Sequence, residues 1–197
     1  MLRDGEVEVV LPRRAPARAA ATAVAELAPW IERRLAEAAR ARAAVAARGD
    51  ALPYLGARLQ LRPQAGRIRV RRDGDALLVP AGDALPALER WYRRAARAEI
   101  GPRLDHAVAV LGTSYARLGI RDQCTRWGSC SSTGALSLNW RLLLAPEPVL
   151  GYVVWHEACH LRVPDHSRRF WALVARHCPG FDEPRRWLRA HGATLVL

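Results

Sequence analysis

The stretch WHEACHLRVPDH, Trp155–His166, contains three of the chain's six histidines. Mostly apolar residues precede it from Pro148, a proline suited to a first helical turn, and Pro164 predicts the end of the helix. Apolar side chains cover nearly every side of this helix, which predicts that it is buried. Two imidazoles and a carboxylate on a buried helix are costly without a shared partner. The stretch therefore predicts both a core helix and a candidate site.

The spacing of the polar residues indicates a metal. Residues four apart in an α-helix lie about 40° apart around its axis, so His156 and His160 point the same way. Glu157 flanks the pair. This is the HExxH pattern, in which two imidazoles hold Zn²⁺ and the carboxylate reaches a metal-bound water. Zinc lowers the pKa of that water, and Glu157 is the candidate general base that takes its proton.

A catalytic zinc needs a third protein ligand, and His166 is the candidate. It follows Pro164, where the chain can bend back towards the helix. The spacing HExxHxxxxxH is that of the metzincins, but Val163 stands where metzincins have glycine, so membership of that group does not follow. Cys159 is a competing ligand that would make the zinc structural. Asp165 is either a partner that orients a ligand histidine or a turn residue.

Length and composition set the broad class. The chain has 197 residues, half of them hydrophobic, enough for a domain with a real core. No apolar run is long enough to span a membrane, and the first residues lack a signal peptide's features, which predicts a cytoplasmic protein. A natural start upstream is an open alternative. The cysteines are expected to be thiols, because none shows CxxC spacing: Cys124, Cys130, Cys159 and Cys178.

The charge suggests an anionic partner without requiring one. The formal net charge is +12, and all 31 basic residues are arginine. Nucleic-acid binding is one explanation, and the codon usage of a GC-rich genome is the other. The arginine-rich segment 13–48 is correspondingly either a partner surface or a solvated helix face.

The remaining elements alternate between strand and helix. A short strand is predicted at Val7–Leu11, then a helical region over 15–48 that Pro29 divides, with a second helix at Trp30–Ala47. Further strands are predicted at Tyr54–Leu61, Arg67–Arg71, Ala76–Val79, Ile120–Arg126 and Ala135–Asn139, the last two forming a hairpin around the turn Cys130–Gly134. Helices are predicted at Ala84–Gly112 with a break near Gly101–Pro102, at Ser167–Cys178 and at Pro184–Ala190. The order predicts one α+β domain.

Four ordered motifs carry a family resemblance. They are RWGSCS at 126–131, LNWRL at 138–142, YVVWHEACHL at 152–161 and DHSRRFW at 165–171. Together they resemble the YgjP-like zinc metallopeptidases, which look like bacterial relatives of the SprT-like proteases. The resemblance covers roughly residues 91–188, with a weaker match at Tyr54–Gly56.

The resemblance implies a zincin-like domain over 1–197. Its parts would be a strand, helix and strand region at 1–82 and a catalytic core at 83–197, with a small, mostly antiparallel sheet packed on the HExxH helix. It also implies zinc on His156, His160 and His166, with Glu157 as general base. Ala158 and Gly151 depart from the family's usual leucine and aspartate, but neither position is a ligand.

Only a few residues indicate how a substrate would bind. A zincin sheet places an edge strand across the cleft, where an extended peptide can add to it, and Ala135–Asn139 is the candidate edge. Arg126 and Asn139 are the candidate substrate-binding residues, although Arg126 could instead bridge strand to helix. Four aromatic residues are expected in the core rather than on the substrate surface: Trp127, Trp140, Phe170 and Trp171.

Three functions follow from these patterns. The first is a zinc-dependent hydrolase, a metallopeptidase that acts on a peptide or protein. The second is a metal-dependent nucleotide pyrophosphohydrolase, which arginines would suit and which would use Mg²⁺ beside or instead of zinc. The third is a DNA-associated binding module with a closed, structural zinc site, perhaps completed by Cys159.

Overall fold

The computed structural model describes residues 18–123 and 125–197, with Val10, Pro16 and the backbone of four residues nearer the start. The chain divides into two compact units, residues 1–49 and 50–197. Within the described part, no helix has both the length and the apolar character needed to cross a membrane.

The first unit contains two short strands and one long helix. β1 (Leu2–Arg3) pairs antiparallel with β2 (Glu6–Val7). Of the strand predicted at Val7–Leu11, Val7 belongs to β2 and Val10 lies outside any element, while the other residues fall outside the described part.

Helix α1 (Arg18–Ala46) is continuous through Pro29, so the predicted division into two helices is wrong. A proline inside a helix removes one backbone hydrogen bond and adds a local clash. The sequence on both sides is rich in alanine, leucine, arginine and glutamate, which favour helix strongly. Their combined propensity outweighs the single lost bond.

The second unit begins with a four-stranded mixed sheet. Its strands are β3 (Ala51–Tyr54), β4 (Ala57–Gln64), β5 (Arg71–Asp73) and β6 (Ala76–Pro80). The spatial order is β3-β4-β6-β5, with β4 and β6 parallel and the outer pairs antiparallel. The prediction at Ala76–Val79 is confirmed, whereas β5 shares only Arg71 with the predicted strand Arg67–Arg71.

A tight turn divides the strand that was predicted at Tyr54–Leu61. Leu55 and Gly56 both have positive φ, 50° and 90°, as a two-residue hairpin turn of type I′ requires. Leucine is rare in that conformation. The Leu55 N–H donates to the carbonyl of Leu143 at 2.8 Å, a tertiary contact that holds the turn in place.

Helix α2 (Leu85–Leu111) crosses Gly101–Pro102 without the predicted break. The Arg103 guanidinium donates to the Glu99 carbonyl at 2.8 Å, which stabilises the turn around the proline. Gly112 ends the helix in a left-handed conformation with φ 60°, as a C-terminal glycine commonly does.

A three-stranded sheet lies beside the candidate site. It contains β7 (Arg117–Arg121), β8 (Gly128–Cys130) and β9 (Ala135–Asn139) in the order β7-β9-β8. β9 is therefore central, and the prediction that it is the edge strand is wrong. The predicted strand Ile120–Arg126 is also shifted: β7 ends at Arg121 and runs parallel to β9, and the hairpin partner of β9 is β8.

The helices that follow agree with their predicted positions. A 3₁₀ helix (Trp140–Leu144) leads into α3 (Glu147–His160), α4 (Arg168–His177) and α5 (Asp182–His191). α3 is buried along its length, as predicted, and packs against α2. Trp140, Tyr92 and Phe170 are the largest fully buried side chains of the core.

The predicted α+β class is confirmed. Both sheets of the second unit are mixed, since each contains a parallel pair, and three of their five strand pairs are antiparallel, in keeping with the expected small, mostly antiparallel sheet. The predicted subdivision at residues 82 and 83 stays a prediction.

Candidate metal centre

Three imidazoles converge at the end of α3. His156 and His160 lie on one face of the helix, and their Nε2 atoms are 3.2 Å apart. His166 returns from the loop after α3, with its Nε2 atom 3.1 Å from that of His156. Potential ligand atoms of these three residues lie within 4.8 Å of one another, and they form the one such group found in the described part of the chain.

The spacing of these nitrogens fits a metal ion. Three nitrogens bound tetrahedrally to Zn²⁺ at about 2.0–2.1 Å would lie about 3.3 Å from one another. The observed 3.1 and 3.2 Å separations are close to that distance. Three converging imidazole nitrogens are also a donor set that suits zinc and other transition metals rather than magnesium.

The ring orientations are fixed by neighbouring groups. In the tautomer that leaves the His160 Nε2 lone pair free, its Nδ1–H donates to the Val163 carbonyl at 3.2 Å. Phe170, fully buried on α4, stacks on the His160 ring with centroids 4.3 Å apart. It also meets the rings of His156 and His166 edge-on, both at 4.9 Å. One aromatic side chain thus supports all three imidazoles.

The histidines of α3 are held neutral, as metal ligands must be. Burial, together with the neighbouring His160 and His166, lowers the pKa of His156 to about 3. Burial also lowers the pKa of His160, although its hydrogen bond to the Val163 carbonyl acts in the opposite direction.

Glu157 lies beside the histidines and is 5% exposed. Burial raises the pKa of its carboxyl group to about 8, and the Arg126 guanidinium partly opposes this rise. Its Oε2 atom has no hydrogen-bond partner among the described residues. A buried carboxyl group with a pKa near neutrality is suited to accept and release a proton.

Gly128, on β8, makes room for this carboxyl group. A Cβ atom at position 128 would lie 2.6 Å from both Cγ and Cδ of Glu157, closer than real contacts allow. The motif RWGSC is a family feature, but no sequence pattern indicates that its glycine makes room for Glu157, because the two residues lie far apart in the chain.

The other candidate residues have different positions. Arg126 is exposed and close enough to influence Glu157. Asn139 is 1% exposed, donates to the Gln123 carbonyl at 2.8 Å and accepts from the Arg141 N–H at 3.0 Å. The bond from Arg141 caps the 3₁₀ helix, so the Asn139 side chain has a structural role, and its contact with a substrate stays a prediction.

Cys159 and Asp165 lie outside the group of ligand atoms, although the charge of Asp165 acts to raise the pKa of His160. Cys159 is fully buried, burial raises the pKa of its thiol to about 11, and it is not part of the ligand group. Asp165 accepts from the Ser167 N–H at 3.0 Å, so it is a turn residue at the start of α4. Cys124 lies outside the described residues.

A cleft of about 580 Å³ opens beside the histidines; we call it the α5 cleft. It is lined by Trp127, Tyr152, His156, His166, Trp171, Arg185, Leu188 and Arg189. Trp140 and Phe170 are buried as predicted, but Trp127 and Trp171 are only half-buried and face this cleft, so the expectation that all four aromatics are core residues is wrong for these two. The sequence motifs did not predict Arg185 and Arg189 as residues of this cleft, because neither lies in one of those motifs.

Comparisons with known proteins found a matching family model and two similar solved structures. A family model described as "YgjP-like, metallopeptidase domain" matches residues 1–191. The metallopeptidase zymogen abylysin of Pyrococcus abyssi is 26% identical, with a TM-score of 0.43 over 49% of this chain and 99% of that one. The zymogen jannalysin of Methanocaldococcus jannaschii is 20% identical, with a TM-score of 0.42 over 46% of this chain and 93% of that one. No curated protein sequence matches.

The family model covers nearly the whole chain, including every residue of the histidine cluster and Glu157. The resemblance inferred from four short motifs is therefore confirmed. The chain belongs to the YgjP-like metallopeptidase family.

Proposed function

We propose that this metallopeptidase is a zinc enzyme that hydrolyses peptide bonds, with His156, His160 and His166 as the metal ligands and Glu157 as the general base. The observation that carries the proposal is the convergence of three imidazoles beside a buried carboxyl group. A catalytic zinc site typically has three protein ligands and leaves a further position open.

Zinc bound there would polarise the scissile carbonyl and lower the pKa of an attacking water. Glu157 takes the proton from that water and passes it to the departing amine. A cation bound to the histidines would lower the pKa of the Glu157 carboxyl group, because an opposite charge favours the carboxylate. The residue thus starts the reaction as a base and can return the proton afterwards.

The position of β8 supports an extended peptide as substrate. It is an edge strand, paired with β9 on one side, and its first residue contacts the Glu157 side chain. A peptide could add to this edge through backbone hydrogen bonds, which would bring a backbone carbonyl next to the general base. β8 replaces β9 as the proposed binding edge, and exposed Arg126 precedes it as a candidate contact for a substrate carboxylate.

The rival functions have less support. Among the described residues, no carboxylate cluster suitable for Mg²⁺ accompanies the histidines, which disfavours a nucleotide pyrophosphohydrolase. A structural zinc would need a fourth protein ligand, and Cys159 is not in the group. A cytoplasmic location stays a prediction.

The direct test is peptide cleavage by the zinc-loaded protein, followed by mass spectrometry of a mixed peptide pool, with nucleoside triphosphates assayed in parallel. We expect wild type to cleave peptides, and Glu157→Gln to keep its zinc and lose at least about 100-fold in rate. The proposal would be contradicted if the protein cleaved triphosphates but no peptides. Full peptide turnover by Glu157→Gln would also contradict it.

A further inference from the structure

The α5 cleft presents two cations to whatever enters the site. Arg185 lies over the Trp171 ring, with its guanidinium carbon 4.4 Å from the ring centroid, which holds the side chain against the cleft wall. Its ion-pair partner, Asp182, is 3.6 Å away and 68% exposed, so the pair is weak. Arg189 is exposed and, within the described part of the chain, has no carboxylate at ion-pair distance.

The rest of the described lining carries no opposing charge. None of the described residues that line the cleft is an aspartate or a glutamate. Its walls are aromatic or aliphatic, and both Trp171 and Tyr152 stack on Phe181, at 5.4 and 6.2 Å. A Cβ atom at position 192 would lie 2.9 Å from the Trp127 ring, so Gly192 leaves room for that ring beside the backbone. The cleft is therefore a fixed apolar surface with two guanidinium groups that keep donors available.

The location of the cleft connects it to the reaction. His156 and His166 form part of its lining, so a group bound in the cleft would lie next to the proposed metal. A divalent ion bound by the histidines would add its positive charge to that of Arg185 and Arg189. The complementary ligand is a side chain with a short apolar stem and an anionic end.

We infer that the α5 cleft is a substrate subsite that accepts an acidic side chain, with Arg185 and Arg189 as the residues that select it. The inference rests on the proposed peptidase function and adds to it a preference for substrates with glutamate or aspartate near the scissile bond. Guanidinium groups suit this role because they bind carboxylates through paired hydrogen bonds.

Binding to the inactive Glu157→Gln protein, loaded with zinc, tests the subsite without turnover. The probes are fluorescein-labelled pairs of peptides that differ by glutamate or glutamine at one position, scanned along the peptide and measured by fluorescence anisotropy. We expect about tenfold tighter binding of the glutamate peptide at one position. The preference should weaken as salt rises.

Variants identify the residues responsible. The double variant Arg185→Gln and Arg189→Gln should bind the glutamate and glutamine peptides with about equal affinity. Arg189→Lys should keep part of the preference for glutamate. The matched control is Arg186→Gln, which removes the same charge from α5 at a position that does not line the cleft. The control should keep the preference.

Three results would overturn the inference: equal binding of both peptides at every position, an unchanged preference in the double variant, or an equal loss in the Arg186→Gln control. Failure of the proposed function has a different signature. If wild type cleaves peptides without regard to glutamate, the subsite is wrong and the peptidase stands. If it cleaves none while glutamate-selective binding still depends on Arg185 and Arg189, the subsite stands and the peptidase is wrong.

Discussion

Gly128 is the residue whose small size positions the general base. Substituting Gly128→Ala would force its Cβ against the Glu157 side chain, at 2.6 Å from Cγ and Cδ. A displacement of about 1 Å at a reacting group costs roughly 100-fold in rate, so we expect that loss in kcat, with zinc content unchanged. The measurement is peptide turnover together with elemental analysis.

Gly151→Ala is the matched control for this prediction. Gly151 lies on α3 with Glu157, and no atom lies within 4 Å of a Cβ built there. The substitution should preserve activity and stabilise the helix slightly. Full activity in Gly128→Ala would contradict the positioning role.

Some residues of the site can be predicted from a sequence pattern, and others cannot. His156, Glu157 and His160 share one helix, so helical spacing alone placed them together. Gly128, Phe170 and Arg185 reach the site through packing between elements that are distant in the chain. No local period encodes such contacts, which is why these residues were missed or assigned to the core.

At the scale of elements, Arg141 joins three segments. Its guanidinium donates to both carboxylate oxygens of Asp122, at 2.6 and 3.2 Å, and to the Leu195 carbonyl at 3.3 Å. The residue after β7, the 3₁₀ helix and the C-terminal segment are thus connected. The hydrogen bonds from Arg141 hold the pKa of Asp122 below its usual range.

This pair predicts a specific pH dependence of stability. Because the folded-state pKa of Asp122 is lowered, its contribution is complete above about pH 5 and is lost as pH falls below about 4 through the folded pKa. Asp122→Asn should therefore lower the free energy of unfolding by about 1 kcal/mol at pH 7, with the difference from wild type closing as the pH falls below about 4. Urea unfolding of both metal-free proteins at several pH values measures this difference in the free energy of unfolding. A difference that stays constant with pH would contradict the role given to the Asp122–Arg141 pair.

The elements that sequence patterns misassigned have two physical reasons. Pro29 and Pro102 each remove one helical hydrogen bond, but neighbouring residues in the same helix keep α1 and α2 continuous. The Leu55–Gly56 turn depends on a bond to Leu143, and the central position of β9 depends on a parallel crossover. In these last two cases a contact outside the local window decided the outcome.

At the scale of the whole molecule, the core does not depend on the ion. Fully buried residues of α2, α3 and the sheets form one cluster that extends well beyond the histidines. We therefore expect chelation to leave the protein folded, with native circular dichroism and a thermal midpoint lower by roughly 5–10 °C. Complete unfolding on chelation would indicate a structural ion and contradict a catalytic site.

The zinc content of the purified protein shows whether the three histidines hold one catalytic zinc. Elemental analysis of purified wild type, His166→Ala and Cys159→Ala should give about one zinc per chain in wild type and in Cys159→Ala, and a large loss in His166→Ala. Zinc retained without His166 but lost without Cys159 would contradict the account.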